Sequence, residues 1–353
     1  DWTLAAAPEL GAADPAAMSR PGYRTGGPWL AATVPGTVLT TLVDRGVYPD
    51  PDYGLDNLAI PESLSRHDWW YRSEFEVPAA LAGRQLRLVF NGINYAGEIW
   101  LNGERLGGTR GAFVRGGFDV GARLRPGARN AIAVRVSPPP HPGLPHEQSL
   151  AGGVGENGGM LALDGPTFIA SEGWDWIPAV RDRNTGLWQD VVLHATGPVR
   201  IGDARVLSSL PGGDHRTAEL RVEVPLHNSA DAAIEGELSF EFDGMQLRKT
   251  LQLAPGETVA VLKPDEFPQL RLHEPRLWWP NGYGEPALYS AQIAFADGNS
   301  LSDRRSLRFG IREVTYELSL FDDDGRLRRV ELDLAEADAR GERIVDVRRQ
   351  AIR

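Results

Sequence analysis

Hydrophobic and polar positions alternate in short runs along most of the chain. Tyr71, Ser73, Phe75 and Val77 interleave with Arg72, Glu74 and Glu76, the period-two pattern of a strand with one face inward. Leu86, Leu88 and Phe90 repeat it, and residues 131–136 and 187–193 read as further strands. Residues 98–101 and 104–106 flank Asn102-Gly103, a pair suited to the two positive φ values of a tight turn, so this stretch is expected to be a hairpin. A loop beginning Val34-Pro35-Gly36-Thr37 leads into a short helix that ends near Arg45-Gly46, and the proline-punctuated 47–61 reads as loop. From residue 198 to 312, short strands are expected at 220–226, 236–242, 247–253 and 288–295, with turns at Asp243-Gly244 and Pro255-Gly256. Strands at that spacing suggest an immunoglobulin-like sandwich, here without the cysteine pair of a true immunoglobulin domain. Beyond it, 314–321 and 327–334 can pair around the turn Asp322-Asp323-Asp324-Gly325, and the charged 342–353 has no packing signal of its own. No βαβ alternation and no internal repeat is present, so the fold class is all-β.

A length of 353 residues suits two or three domains rather than one core. The net charge of −11 argues against nucleic acid or an anionic membrane as partner. No uninterrupted apolar run approaches the roughly 20 residues needed to span a bilayer. Residues 1–20 lack the basic start and apolar centre of a signal peptide, so a periplasmic or secreted location requires a signal already removed. With no cysteine there is no disulfide framework and no thiolate metal site, which fits cytoplasm and periplasm alike.

Chemistry concentrates in one place. The stretch 137–173 opens with Pro138-Pro139-Pro140, contains Gly152-Gly153 and Gly158-Gly159, and has little periodicity; connections this long in a compact domain are usually functional or disordered. It leads into Gly173-Trp174-Asp175-Trp176-Ile177-Pro178 and then Asp182-Arg183-Asn184-Thr185-Gly186-Leu187-Trp188. Two indoles flanking a carboxylate suit a sugar: aromatic faces stack on the C–H faces of the ring and the carboxylate accepts from paired hydroxyls. Packing between domains and an aspartate capping a turn are the plainer alternatives. Arg181, Asp182, Arg183 and Asn184 either line the same opening or form a local ion pair that shapes the loop. His141, His146 and Glu147 lie in the long loop with no regular element to set them on one face, so no metal is expected. The glycine-rich 152–159 does not sit between a strand and a helix, so no phosphate-binding motif and no cofactor is expected.

Seven segments carry a resemblance: Val34-Pro35-Gly36-Thr37-Val38 with Asp50-Pro51-Asp52-Tyr53-Gly54, Asp68-Trp69-Trp70-Tyr71, Gly92-Ile93-Asn94-Tyr95-Ala96 with Ile99-Trp100-Leu101-Asn102-Gly103, Leu277-Trp278-Trp279-Pro280-Asn281-Gly282-Tyr283-Gly284, and Phe309-Gly310-Ile311-Arg312-Glu313. In this order, and together with Gly173–Trp188, the chain resembles glycoside hydrolase family 2 in its β-mannosidase, endo-β-mannosidase and exo-β-glucosaminidase branch. The resemblance implies a galactose-binding-like jelly roll over 1–197 and an immunoglobulin-like sandwich over 198–312. Residues 313–353 would then connect toward a (β/α)8 catalytic barrel outside this chain. That barrel is expected to carry an acid/base and a nucleophilic glutamate about 5–5.5 Å apart. The family's acid/base glutamate follows an asparagine, and no Asn-Glu pair occurs in residues 1–353; Glu156-Asn157 is in the reverse order. No catalytic residue is therefore expected in this chain, and the chain alone is expected to be inactive. By the resemblance Asp175 contacts the sugar in the −1 subsite, with Trp174 and Trp176 as its wall and Arg181 and Asn184 beside it. Trp278 and Trp279 are expected to be structural. The implied partners are a β-linked oligosaccharide or glycan and the barrel of the same polypeptide. The favoured substrate is a β-mannoside, with a β-glucosaminide, β-galactoside or β-glucuronide as alternatives. The reading of another class is a free-standing carbohydrate-binding module without chemistry.

Overall fold

The structure is a computed structural model that describes residues 1–25, 27–145, 159–160, 163–165, 167, 180–212, 215–298 and 300–333. The chain divides into two compact units, 1–195 and 196–353. Most of the regular structure is strand, as the alternation predicts.

The first unit is built on a six-stranded antiparallel sheet in the order Leu30–Ala32, Trp2–Ala6, Trp69–Glu76, Arg129–Ser137, Ala96–Leu101, Glu104–Arg110. A second sheet joins Val191–Thr196, Gln85–Phe90 and Gly116–Asp119. Leu4, Tyr71, Ile99, Leu101 and Val134 on the first sheet share one buried core with Leu86, Leu88 and Phe90 of the second. Enclosure of both inner faces in a common core is what makes a two-sheet sandwich stable. The predicted hairpin is present, with Asn102 at φ 50° and Gly103 at φ 96°. The predicted helix is Val38–Asp44, started by Thr37, whose hydroxyl accepts from the Thr40 N–H at 3.2 Å.

Two elements depart from the alternation. Trp69–Glu76 is buried on both faces over its first five residues. Arg72, on the supposedly polar face, is covered and donates from Nε to the Met18 carbonyl at 2.8 Å and from Nη2 to the Arg20 carbonyl at 3.1 Å, while also pairing with Glu74. A second small core of Met18, Trp70 and Ala133 lies on that side. The strand expected at 187–193 begins only at Val191. Residues 187–190 serve other partners: the Leu187 carbonyl accepts from Gly36, the Asp190 carbonyl from Asn91, and Trp188 Nε1 donates to the Ala112 carbonyl.

In the second unit the twelve-residue strand Thr217–Asn228 pairs with Val199–Ile201, Arg205–Ser209, Gly256–Leu262 and Arg271–His273. Ala218, Leu220, Val222, Val224 and Leu226 on one face of it are fully buried. The facing sheet runs Met245–Leu253, Ile234–Phe242, Tyr289–Asp297, Ser300–Phe309 and contributes Leu238, Phe240, Ile293 and Phe295. The tail forms the expected hairpin, Thr315–Phe321 with Leu327–Asp333. Among the described residues, no helix is long and apolar enough to cross a membrane.

Candidate functional site

Trp174, Asp175 and Trp176, the centre of the sequence-predicted sugar contact, lie outside the described residues, as do His146 and Glu147. The turn that follows them is described, and it is fixed from three sides. Asp182 is fully buried, and its carboxylate accepts from the Leu39 N–H at 2.7 Å and the Asn184 N–H at 2.8 Å. The Asn94 side chain, also fully buried, donates to the Arg183 and Asn184 carbonyls at 2.8 and 2.9 Å. Backbone bonds complete the attachment: Val38 N–H to the Thr185 carbonyl at 2.7 Å, and Asn94 and Gly186 exchanging both of theirs at 3.0 and 2.8 Å. Gly186, at φ 153°, lies so close to this neighbour that a Cβ on it would meet the Gly36 carbonyl oxygen at 2.7 Å. The backbone there has room only for glycine.

The third attachment is ionic. Glu62, in the short 3-10 turn Glu62–Ser65, accepts from Arg181 Nη1 at 2.7 Å and from Arg183 Nη2 at 2.6 Å. Among the described residues, Arg183 is one of the largest fully buried side chains. Its guanidinium also donates to the carbonyls of Pro142 at 3.0 Å, Gly143 at 3.2 Å, Val180 at 2.8 Å and Arg181 at 3.3 Å. Arginine suits this place because its planar fork sends donors in several fixed directions at once. The ion pairs here are not within residues 181–184: Arg181 and Arg183 both reach Glu62, 119 and 121 positions away in the chain. Arg181 is nearly buried with Nη1 on Glu62, and Asn184 is half-buried beside it. Sequence reasoning did not single out Glu62 or assign Asn94 a role; both lie about 90 to 120 positions from their partners.

Two predictions arise here. Asn94→Ala leaves two buried carbonyls without that donor and is expected to destabilise the first unit by about 1–3 kcal/mol; urea midpoints that coincide with wild type contradict the assignment. For Asp182, burial pushes the carboxyl above the ordinary aspartate range, against the hydrogen bonds from Leu39, Thr37 and Asn184 that pull it down. An acid whose folded pKa is raised contributes most below its unfolded pKa of about 3.9, and loses that contribution as pH rises through the raised value. The stability of wild type relative to Asp182→Asn should therefore fall as pH rises from about 4. A difference that stays constant with pH contradicts it.

Beside Pro142 a cavity of about 520 Å³ opens, lined by residues including Arg66, His67, Asp68, Tyr95 and Arg110. Its walls combine an aromatic ring with charged side chains: the Arg110 guanidinium lies 5.3 Å from the centre of the Tyr95 ring. Burial lowers the His67 pKa against the opposing charges of Glu9 and Asp68. His141 pairs with Asp164 at 3.3 Å. Among the described residues, no group of three or more metal-ligating side chains gathers. In the second unit Trp278 is half-buried under the Arg312 guanidinium, 4.7 Å from its ring centre, and Gly310 leaves room for its ring. That packing suits the structural role expected for it.

Comparison with known proteins follows the same division. Residues 2–189 match the family described as glycosyl hydrolase 2 galactose-binding domain-like, and residues 199–312 match glycosyl hydrolases family 2. The chain is 36% identical over 310 residues to a mannosylglycoprotein endo-beta-mannosidase of Lilium longiflorum, covering 84% of this chain and 32% of that protein. It is 33% identical to an exo-beta-D-glucosaminidase of Streptomyces avermitilis, covering 87% of this chain and 31% of that protein. Among solved structures, the beta-D-mannosidase from Dictyoglomus thermophilum superposes with a TM-score of 0.66 at 26% identity, covering 94% of this chain and 37% of the other. The exo-chitosanase of Amycolatopsis orientalis superposes at 0.68 with 23% identity, covering 94% and 35%, a likeness of fold. The chain thus spans about a third of the length of the relatives it matches.

Proposed function

Because the chain belongs to glycoside hydrolase family 2, we propose that it is the sugar-binding, non-catalytic part of a retaining β-glycosidase acting on a β-mannoside. In this reading residues 313–353 lead toward a catalytic barrel that supplies both glutamates. Asp175 accepts hydroxyl hydrogen bonds in the −1 subsite, between Trp174 and Trp176. A carboxylate is suited to this, since a hydrogen bond to a charged acceptor is worth about 1.5–3 kcal/mol. Arg181 and Asn184 border the subsite from the turn behind it. The observation that carries the substrate is the 36% identity to an endo-beta-mannosidase over most of this chain. The 33% identity to an exo-beta-D-glucosaminidase makes the β-glucosaminide the competing substrate.

The test is the ratio of kcat/KM for aryl β-mannoside and aryl β-glucosaminide, measured on the longer polypeptide that contains this chain. A ratio well above one is expected; a ratio well below one transfers the assignment to β-glucosaminides. A free-standing binding module is the reading of another class, favoured by the separate core of each unit. Calorimetric titration of the 353-residue chain with mannosyl oligosaccharides separates the two. Saturable micromolar binding supports the module, and no detectable heat supports one wall of a larger site.

A further inference from the structure

In the second unit a cleft of about 700 Å³ opens beside Trp279, whose motif suggests a structural role. Its lining includes Trp278, Trp279, Tyr283, His215, Arg312 and Glu313. Trp278 packs under Arg312, but the two other aromatic rings face solvent: Trp279 is 37% exposed and Tyr283 80% exposed. A tight loop displays both. The Trp279 N–H donates to the Glu285 carbonyl at 3.0 Å, and the Tyr283 N–H donates to the Pro280 carbonyl at 3.0 Å across a turn with Gly282 at φ 84°. The Trp279 indole rests on Gly284, where a Cβ would come within 2.8 Å of ring atoms Cγ and Cδ1. The His215 ring meets it edge-on, with 5.8 Å between ring centres. The polar wall is equally fixed. Ser208 Oγ donates to the Arg312 carbonyl at 2.7 Å, and the Leu210 N–H donates to one carboxylate oxygen of Glu313 at 2.6 Å. Among the described residues, the other carboxylate oxygen has no hydrogen bond.

This lining suits one class of ligand. Exposed indole and phenol rings offer flat, rigid apolar area to the C–H face of a sugar ring. The Glu313 carboxylate can accept from hydroxyls and the Arg312 guanidinium can donate to them. Their adjacent opposite charges offset each other, which favours a neutral, hydroxyl-rich molecule over an anion or a cation. An apolar protein face would strip water from both groups and return no hydrogen bonds, whereas sugar hydroxyls return them. Backbone bonds hold the walls in place beforehand, so little is lost to ordering on binding. We propose that the second unit carries a carbohydrate site of its own, in which a pyranose of a neutral oligosaccharide stacks on Trp279 and Tyr283 and exchanges hydroxyl hydrogen bonds with Glu313 and Arg312. It is independent of the sugar contact proposed for the first unit.

The probes are β-1,4-mannopentaose and cellopentaose, titrated into the 15N-labelled 353-residue chain and followed at the indole N–H resonances. Only the choice of β-linked probes rests on the proposed glycosidase function. Trp279→Phe identifies the Trp279 signal. At least one probe should shift that signal saturably, with a dissociation constant on the order of 1 mM, the strength of a few contacts at a surface cleft. Tyr283→Ser and Glu313→Gln should each weaken this binding about fivefold, the effect of losing one aromatic or charge-assisted contact. Both side chains are exposed and glutamine still accepts from Leu210, so the urea midpoint should not move. No shift at Trp279 with either probe overturns the proposal, as does binding that Tyr283→Ser leaves intact, which places the sugar elsewhere on the chain. Self-association in sedimentation that Tyr283→Ser abolishes assigns the face to a second copy and overturns it. Hydroxyl-radical labelling of Tyr283 that is strong in the chain and lost in the longer polypeptide shows the cleft covered by protein, and overturns it too. Binding this weak gives no micromolar calorimetric isotherm, so it does not decide between module and enzyme part. It is read without turnover: its failure leaves the substrate ratio untouched, and an inert longer polypeptide leaves this site standing.

Discussion

Arg183→Met is expected to destabilise the first unit by about 3–5 kcal/mol, the range seen when one partner of a buried ion pair is removed. The methionine fills much of the same volume but returns none of the donors. The carbonyls of Pro142 and Gly143 lose the guanidinium that reaches them, the Val180 carbonyl keeps the backbone N–H of residue 183, and Glu62 keeps Arg181. Glu62 is partly open to solvent, so water can restore some of its hydration; Arg183 has no such exposure, which places the larger cost on the carbonyls. Urea unfolding of the 353-residue chain measures this as a shift in midpoint at unchanged slope. A loss below about 1 kcal/mol would mean that the cluster contributes no more than an ordinary exposed ion pair.

Asp175→Ala is the second large effect, and it falls on catalysis. In the longer polypeptide it should lower kcat/KM for the preferred β-glycoside by roughly 2–4 kcal/mol, about 30- to 900-fold. If the carboxylate's contacts strengthen as the sugar distorts toward the transition state, kcat falls with kcat/KM and KM changes little. Asp175→Asn keeps the shape and one acceptor and should lose less. Unchanged kinetics in both variants would return Asp175 to the plainer role of capping a turn.

Much of the fold was legible because it is written locally. The Asn102-Gly103 hairpin follows from two residues whose backbone tolerates positive φ, and the alternation at 220–226 follows from a core that takes every second side chain. The tail hairpin was equally plain from alternation around Asp322–Gly325. The alternation at Tyr71–Val77 located a strand but not its second buried face, because Arg72 reads as polar while its donors are satisfied by Met18 and Arg20, about fifty positions earlier. Residues 187–193 looked like one strand, since nothing in Leu187 or Trp188 announces that Gly36 and Ala112 take their hydrogen bonds. The site was half legible. Asp182, Arg183 and Asn184 drew notice through their charge and turn chemistry. Glu62 sits in a loop 121 positions from Arg183, and only the folded chain brings the two together. Family likeness reached further than periodicity here, since the matched family regions, 2–189 and 199–312, extend over almost the whole described chain.

The most direct test of the central claim is hydrolysis of an aryl β-mannoside by the longer polypeptide that contains this sequence, run beside the 353-residue chain alone. The account predicts turnover with retention of anomeric configuration by the longer polypeptide and none by the chain alone. Turnover by the chain alone, or a longer polypeptide inert on β-mannosides and β-glucosaminides alike, would contradict it.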